Sequence, residues 1–170
     1  NRIHQALLSL GIAIATPNYR GSSGYGKSFI HLDDVDKRIN AVHDVYYAVE
    51  HLSKKGEIDP NRLCVMGGSY GGYLTLMMLS IYPDMWRCGV EIVGIVNLIT
   101  FIRNTGAWRR RYRMVEYGDP EVHGDIMLKL SPITYVDRIK APLMVIHGAR
   151  DPRVPVTEAE QLVEALRSRG

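Results

Sequence analysis

Residues 67–71 read Gly-Gly-Ser-Tyr-Gly, a G-x-S-x-G pattern that could make Ser69 a nucleophile. A nucleophilic serine on a sharp turn has a strained backbone, so the residues two places before and after it must be small. Gly67 and Gly71 meet this requirement. The backbone N–H of Tyr70 would then point at the oxygen of a tetrahedral intermediate, aided by a helix N-terminus. A glycine-rich turn with a purely structural use is the alternative.

A serine hydroxyl needs a histidine base that is oriented by a carboxylate, and after such a turn the order along the chain is Ser, Asp, His. Asp151 has the second place, because it follows an apolar run at residues 143–147. A turn residue before Pro152 is the alternative for Asp151 alone. The six histidines lie at positions 4, 31, 43, 51, 123 and 147, all before Asp151. We therefore expect the triad histidine to be absent from these residues and interpret His147 as structural.

The elements around these residues follow from hydrophobic periodicity. Short apolar runs predict buried strands at residues 11–15, 63–66, 88–93 and 143–147. Spacings of three and four predict helices at residues 35–52, 73–82 and 157–166, the last with Thr157 and Glu160 as a capping box and Gly170 as a C-cap. Strands apolar nearly throughout, alternating with helices, predict an α/β fold with a mostly parallel sheet and helices on both faces.

This order of elements bears directly on Ser69. The G-x-S-x-G pattern falls between the predicted strand 63–66 and the predicted helix 73–82, which is the context that a nucleophile elbow requires. Asp151 follows another predicted strand, and in an open parallel sheet the sites lie at the carboxyl ends of the strands. The context favours catalysis over a structural turn. The segment 103–140 has weaker periodicity, and we expect it to form a pocket wall or lid.

Composition excludes several classes of protein. The chain has 170 residues, 46% hydrophobic and 23% charged, which is enough for one domain and unlike a disordered, collagen-like or coiled-coil chain. A net charge of +3 gives no reason to expect nucleic acid as a partner. The most apolar stretch, 89–102, is too short to cross a membrane. Two cysteines make no disulfide framework and favour a reducing, cytoplasmic location.

Two other patterns compete with the serine motif. Residues 21–28 satisfy the P-loop pattern G-x-x-x-x-G-K-[ST], but five residues separate them from the preceding apolar run, so an NTPase is a remote alternative. Five arginines between positions 103 and 113, with Trp108 and Tyr112 among them, could suit nucleic acid or an acidic group. A solvated lid or an interface is the favoured interpretation of this cluster.

Several segments in one order resemble the catalytic domain of prolyl oligopeptidase family serine peptidases. The resemblance is strongest to the acylaminoacyl-peptidase and dipeptidyl-peptidase branches. It rests on Asn18–Gly26, Gly67–Gly72, Ser131–Ile133, Ile139–Pro142 and His147–Pro155. It implies an α/β-hydrolase fold, a peptide substrate and no metal or organic cofactor.

The resemblance also implies roles for single residues. Ser69 would be the nucleophile, Asp151 the triad acid and Tyr70 an oxyanion donor. Arg153 would contact the substrate backbone. The pocket for the residue before the scissile bond would be lined by Val154 and by the apolar stretch near Val96.

Parts of the family pattern are missing from this sequence. The family's histidine would follow the last predicted helix, an oxyanion segment would precede Asn1, and no β-propeller is present. We therefore expect residues 1–170 to be a single partial α/β-hydrolase domain, cut at both ends and inactive by itself. A carboxylesterase or lipase of the same fold is one alternative, and a non-catalytic binding fragment is another. Exposed sheet edges would also permit self-association.

Overall fold

Three parallel strands form the sheet over residues 1–169, the part of the chain that the computed structural model describes. They are β1 (Cys64–Gly68), β2 (Cys88–Ile92) and β3 (Leu143–Ile146), in the order β1-β2-β3. Cys64 lies beside Cys88, and Gly89 lies beside Leu143. These strands confirm three of the four predicted runs and the parallel arrangement.

Helices connect and flank the strands. They are α1 (Arg2–Ser9), α2 (Lys27–Ile30), α3 (Ile39–Lys54), α4 (Tyr70–Ile81), α5 (Leu98–Asn104), α6 (Ala107–Tyr117), α7 (Pro120–Lys129) and α8 (Thr157–Arg167), with 3-10 turns at Val35–Arg38 and Pro132–Arg138. The predicted helix 35–52 is therefore a 3-10 turn followed by α3. The weakly periodic segment 103–140 holds the end of α5, then α6, α7 and a 3-10 turn.

Helix α4 is the centre of the core. Its residues 72–80 are all buried. One side of the helix packs against β1 and β2, and its other sides pack against α3 and the turn Pro132–Arg138. A helix buried on every side is apolar all round and gives little amphipathic signal. This explains why α4 begins three residues before the helix that periodicity predicts.

The two faces of the sheet differ. Gly67, Gly89 and Glu91 lie on the face that α4 covers. On the opposite face Met66, Met144 and Ile146 are 38%, 60% and 41% exposed. We expected helices on both faces, and within residues 1–169 the packing against β1 and β2 comes from α4 on one face.

The predicted strand at residues 11–15 was wrong. These residues are exposed or half-buried, and residues 12–19 form neither helix nor strand. An apolar run becomes a strand only when a neighbour supplies hydrogen bonds, and β1, β2 and β3 pair only with one another in the described residues. Within residues 1–169 no strand lies beside residues 11–15 to complete the pairing.

The predicted capping box was also wrong. Val156 is the N-cap of α8, Thr157 is its first residue, and no side chain caps this end. The chain turns into the helix earlier, because Glu158 N–H donates to Pro155 O at 3.0 Å and Glu160 N–H donates to Val156 O at 3.0 Å. The predicted C-cap, Gly170, lies outside the described residues.

Cys64 and Cys88 form a disulfide between the first residues of β1 and β2. Each residue is at the start of its strand and the two are in register, which brings their side chains together. The cysteine count therefore does not argue for a reducing compartment. None of the helices in residues 1–169 is both long and apolar enough to span a bilayer.

An ion pair joins the segment after residue 17 to α3. Asp44 accepts hydrogen bonds from Arg20 Nε at 2.7 Å, Arg20 Nη2 at 2.6 Å and the Arg20 backbone N–H at 2.9 Å. Partial burial alone would raise the pKa of Asp44, but the bonds from Arg20 outweigh it and hold the pKa below its usual value. The charged carboxylate therefore stabilises the folded chain.

Replacing Asp44 by asparagine should lower the free energy of unfolding by about 1 kcal/mol at pH 7, because a charge-assisted pair is lost from a partly exposed site. A lowered pKa stabilises the fold above the unfolded value of about 3.9, and this contribution disappears as pH falls through the folded value. Urea unfolding measures this: the difference in free energy of unfolding between wild type and Asp44→Asn should be smaller below pH 4 than at pH 7. Glu57→Gln, in the exposed Lys55–Glu57 pair, is the control. Equal stability of Asp44→Asn and wild type at pH 7 would contradict the assignment.

Candidate active site

Ser69 lies at the junction of β1 and α4. It directly follows Gly68, the last residue of the strand, and precedes Tyr70, the first residue of the helix. Its φ of 56° and ψ of −115° are unusual for a residue with a side chain, and such conformations cost on the order of 1–3 kcal/mol. Ser69 N–H donates to Ile92 O at 2.9 Å, which ties the turn to β2. The residue is exposed at the end of the sheet.

Close backbone packing explains the glycines of this turn. A Cβ on Gly67 would lie 2.2 Å from Gly71 O, so a side chain has no room there. A Cβ on Gly72 would lie 2.6 Å from Gly94 Cα, which lets α4 approach the end of β2. A Cβ on Gly71 would meet no described atom within 4 Å. We expected both Gly67 and Gly71 to lack room for a side chain, and the packing restricts only Gly67 in this way. Gly72 is the second position of this turn where a Cβ would clash.

Tyr70 contributes a backbone donor and a buried side chain. As the first residue of α4 its N–H has no carbonyl partner within the helix, so it remains available to an oxygen near Ser69. Its hydroxyl donates to Asp33 Oδ2 at 2.6 Å. Burial raises the pKa of the Tyr70 hydroxyl, which therefore stays protonated as a donor.

A buried cation stands behind Tyr70. The Arg38 side chain is fully buried, and its guanidinium carbon lies 4.1 Å from the ring centre of Tyr117 and 5.2 Å from that of Tyr70. Arg38 Nη2 donates to Glu116 O at 2.6 Å, and Nη1 is 3.7 Å from Asp33 Oδ2. The sequence gives no signal for this cluster, because Asp33 and Arg38 belong to a polar stretch with the pattern of a solvated surface.

Asp151 lies in a tight turn after β3. Its Oδ1 accepts hydrogen bonds from the backbone N–H groups of Arg153 at 2.7 Å and Val154 at 3.1 Å. Partial burial would raise the pKa of this carboxyl, but these N–H groups and the Arg153 charge hold it below the usual value. Oδ2 lies 3.6 Å from Arg153 Nη2 and accepts no hydrogen bond within residues 1–169. The carboxylate is thus charged and has one oxygen available.

The described histidines do not complete a triad. His147 Nε2 is 2.8 Å from Val154 O, which it can reach only as a donor, and its Nδ1 is buried without a partner in residues 1–169. His31 pairs with Asp34, His43 with the Tyr82 hydroxyl and His123 with the Asp119 backbone N–H. No histidine in this part of the chain has a hydrogen bond to Ser69 or Asp151. His147 instead braces the loop that carries Asp151.

The residues expected to bind substrate differ in burial: the two valines are buried and the Arg153 side chain is exposed. Val96 and Val154 are 0% and 3% exposed and pack in the core. Arg153 is 63% exposed at its side chain, and its carbonyl accepts from Thr105 Oγ1 at 3.0 Å. Neither valine lines an open cleft described for residues 1–169.

Two open clefts occur in the described part of the chain. One of about 480 Å³ is next to the serine turn and is lined by Tyr70, Asp33, Glu116 and residues 17–19 and 21–23. A larger one of about 750 Å³ lies between β3 and α8 and touches none of the expected site residues. We regard the smaller cleft as part of the site because Tyr70 borders it. No group of three or more metal-ligating side chains occurs among the residues described.

The two competing motifs have other structural explanations. The P-loop pattern at residues 21–28 does not follow a strand, since residues 12–19 form neither helix nor strand, and α2, which begins at its end, has only four residues. Two of the five arginines form ion pairs: Arg103 with Glu121 at 3.0 Å and Arg113 with Glu116 at 3.1 Å. The arrangement of these arginines agrees with a polar outer wall.

A parallel strand that turns sharply through a serine into a buried helix is the arrangement of the α/β-hydrolase class. The chain belongs to the prolyl oligopeptidase family, whose model matches residues 2–170. It is 36% identical over 171 residues to dipeptidyl aminopeptidase BIII of Pseudoxanthomonas mexicana, covering 98% of this chain and 25% of that protein. It is 30% identical over 171 residues to the acylamino-acid-releasing enzyme of Rattus norvegicus, covering 96% of this chain and 23% of that protein.

Solved structures agree with this assignment. A crystal structure of puromycin hydrolase matches with a TM-score of 0.88 and 27% identity, covering 96% of this chain and 25% of that one. The acylaminoacyl peptidase of Pyrococcus horikoshii matches with a TM-score of 0.81 and 28% identity, over 90% of this chain and 25% of that one. The chain thus spans about a quarter of the length of these relatives.

The packing of the serine turn predicts unequal effects for its two flanking glycines. Gly67→Ala should destabilise the chain by roughly 3 kcal/mol or prevent folding, because the new methyl meets the Gly71 backbone. Gly71→Ala is the matched control and should be neutral or stabilising by up to about 1 kcal/mol, since α4 gains a better helix former in open space. Chemical unfolding of both variants measures the difference. Equal losses in the two variants would show that the packing is wrong.

Proposed function

We propose that the protein containing this chain is a serine peptidase in which Ser69 attacks the carbonyl carbon of a peptide or acylaminoacyl bond. The observation that carries the proposal is the strained turn at Ser69 in a chain of the prolyl oligopeptidase family. The serine oxygen bonds to the carbonyl carbon while a histidine takes its proton. That proton then goes to the leaving amine as the C–N bond breaks, and water hydrolyses the acyl-enzyme.

The proposed roles of the other residues follow from their surroundings. The Tyr70 N–H at the start of α4 would stabilise the oxyanion, with the helix dipole adding to its effect. Asp151 would orient the histidine through Oδ2, the oxygen that its own turn leaves available. Arg153 would contact the substrate backbone through its exposed guanidinium. Val154 and Val96 are buried within residues 1–169, so they would line the pocket for the residue before the scissile bond only where the rest of the catalytic domain forms that pocket.

The histidine is proposed to come from sequence beyond residue 170. This is supported by the order Ser, Asp, His and by the chain's share of its relatives, about a quarter of their length. Residues 1–170 would then be one part of a larger catalytic domain. In a measured serine protease, loss of the histidine costs on the order of 10⁶ in turnover, so this segment alone should be almost inactive.

The substrate class is proposed from the names of relatives. One relative is named a dipeptidyl aminopeptidase and another an acylamino-acid-releasing enzyme, which favours a peptide or an acylaminoacyl peptide as the substrate. No cofactor, nucleic acid or membrane is required by this mechanism. We propose a cytoplasmic location. The Cys64–Cys88 disulfide argues against it, because disulfides are rare in a reducing compartment. Cell fractionation with an activity assay tests the location.

Labelling with a fluorophosphonate tests the proposal, since this reagent reports an activated serine whatever the substrate. The whole protein should be labelled, Ser69→Ala should not be, and residues 1–170 alone should be labelled at most weakly. Ser168→Ala, an exposed serine after α8, is the matched control and should label like the wild type.

Three results would contradict parts of this proposal. Labelling of the whole protein that survives Ser69→Ala would remove Ser69 as the nucleophile. Strong, Ser69-dependent labelling of residues 1–170 would mean that the base lies within them or in a second copy. Faster hydrolysis of short-chain esters than of aminoacyl amides would favour an esterase of the same fold.

A further inference from the structure

Glu158 is a fully buried carboxylate on the first turn of α8. Its Oε2 accepts hydrogen bonds from the backbone N–H groups of Val96 at 2.9 Å and Asn97 at 2.8 Å. Its Oε1 accepts from Thr100 Oγ1 at 2.5 Å and from Gln161 Nε2 at 3.1 Å. Four donors therefore converge on one side chain, and three of them belong to the segment between β2 and α5 or to α5 itself.

No cation compensates this charge. Within residues 1–169 Glu158 forms no ion pair, and the donors around it are neutral. Burial raises the pKa of its carboxyl, while the four hydrogen bonds oppose the rise. A buried acid of this kind is costly unless its hydrogen bonds are satisfied, and a half-satisfied network is worse than an apolar one. A hydrophobic side chain would fill the same space without the desolvation free energy of a buried carboxylate. The hydrogen bonds of Glu158 therefore require an explanation other than packing.

The segment that Glu158 holds is the turn 93–97, and this turn adjoins the nucleophile. Ile92, just before it, accepts the hydrogen bond from Ser69 N–H. Val93 has a φ of 48°, a conformation that a β-branched residue adopts only when surrounding contacts enforce it. Val93 N–H donates to Ile146 O at 2.8 Å, and Ile133 N–H donates to Val96 O at 3.1 Å. The turn is thus held from β3, from α8 and from the segment after α7.

Glu158 also links two parts of the proposed site. It lies seven residues after Asp151, on the helix that follows the aspartate turn, and its carboxylate reaches across to Val96. A movement of α8 would therefore be transmitted to the turn beside Ser69. Glu158 therefore connects the helix that follows the proposed acid, Asp151, to the backbone of Val96 in the proposed pocket wall, and it does so without contacting the substrate.

We propose that Glu158 is a positioning residue that holds the turn 93–97 and thereby sets which side chains the protein accepts before the scissile bond. The inference rests on the proposed function, in which Val96 lines that pocket. Glu158 touches no reacting atom; it acts through the backbone of Val96 and Asn97. Its loss should change substrate preference more than the rate on every substrate alike.

The test compares two aminoacyl amides, one with alanine and one with phenylalanine before the scissile bond, hydrolysed by the whole protein. Glu158→Ala leaves two buried N–H groups without acceptors, so the turn should move. Because small displacements and single methylenes in a pocket change rates about 10- to 100-fold, the ratio of kcat/KM for the two substrates should shift at least about 10-fold. Glu158→Gln keeps an oxygen for the two N–H groups and should hold the ratio within about 3-fold of wild type.

Glu160→Ala is the matched control, since Glu160 lies on the same turn of α8 but is exposed. It should leave the ratio unchanged. If Glu158→Ala does not fold, Glu158→Asp replaces it: the shorter side chain keeps the charge but withdraws the carboxylate, and the same shift in the ratio is expected.

The outcomes separate the two proposals. A wild type that hydrolyses neither substrate, and is not labelled by the fluorophosphonate, overturns the proposed function. An active wild type whose Glu158→Ala or Glu158→Asp variant loses rate equally on both substrates overturns the positioning role, since that is what a merely structural residue would do. A shifted ratio in those variants, with rescue by Glu158→Gln, supports it.

Discussion

The close approach of α4 to the ends of β1 and β2 is the constraint on which the rest of the structure depends. Gly67 lies against the Gly71 backbone, and Gly72 lies against Gly94, with no space for a Cβ at Gly67 or Gly72. A turn this tight forces Ser69 to a φ of 56° and exposes its side chain at the end of the sheet. The strain at Ser69 is compensated by the burial of residues 72–80 of α4, which pack on every side. Packing energy in the core thus holds a conformation that the serine would not adopt in isolation.

Polar groups around this turn are buried by two different solutions. Behind Tyr70 a guanidinium balances a carboxylate: Arg38 lies close to Asp33 and against two aromatic rings. Beside Val96 the carboxylate of Glu158 has only neutral donors, four in number. The first solution combines this ion pair with hydrogen bonds from the Tyr70 hydroxyl to Asp33 and from Arg38 to Glu116 O. The second relies on hydrogen bonds to one carboxylate.

The exposed surfaces are consistent with a chain that spans about a quarter of its relatives. Met66, Met144 and Ile146 lie on an open face of the sheet, and among the described residues no strand pairs with the apolar residues 11–15. Both are features that neighbouring elements would cover in a larger domain, since exposed apolar faces and unpaired strand edges promote association. The serine turn and the aspartate turn are both present within residues 1–169: the first is held by the Ser69–Ile92 backbone bond and the packing of α4, the second by backbone bonds to Asp151 Oδ1.

The sequence by itself determined the features that depend on local pattern: three strands, the long helices, the parallel α/β class, the serine turn and the place of Asp151 after a strand. It failed where the outcome depends on distant partners. Residues 11–15 are apolar yet form no strand, and Cys64 pairs with Cys88 only because register places them side by side. The capping box at Thr157 failed for a local reason instead, because backbone hydrogen bonds to Pro155 O and Val156 O begin α8 before Thr157 could cap it. Tertiary structure alone decided that Asp33 and Arg38 stand behind Tyr70 and that Glu158 turns inward to the turn 93–97. The physical reason is that burial converts residues with a solvated-surface pattern into specific hydrogen-bond partners, and burial is set by segments far away in the chain.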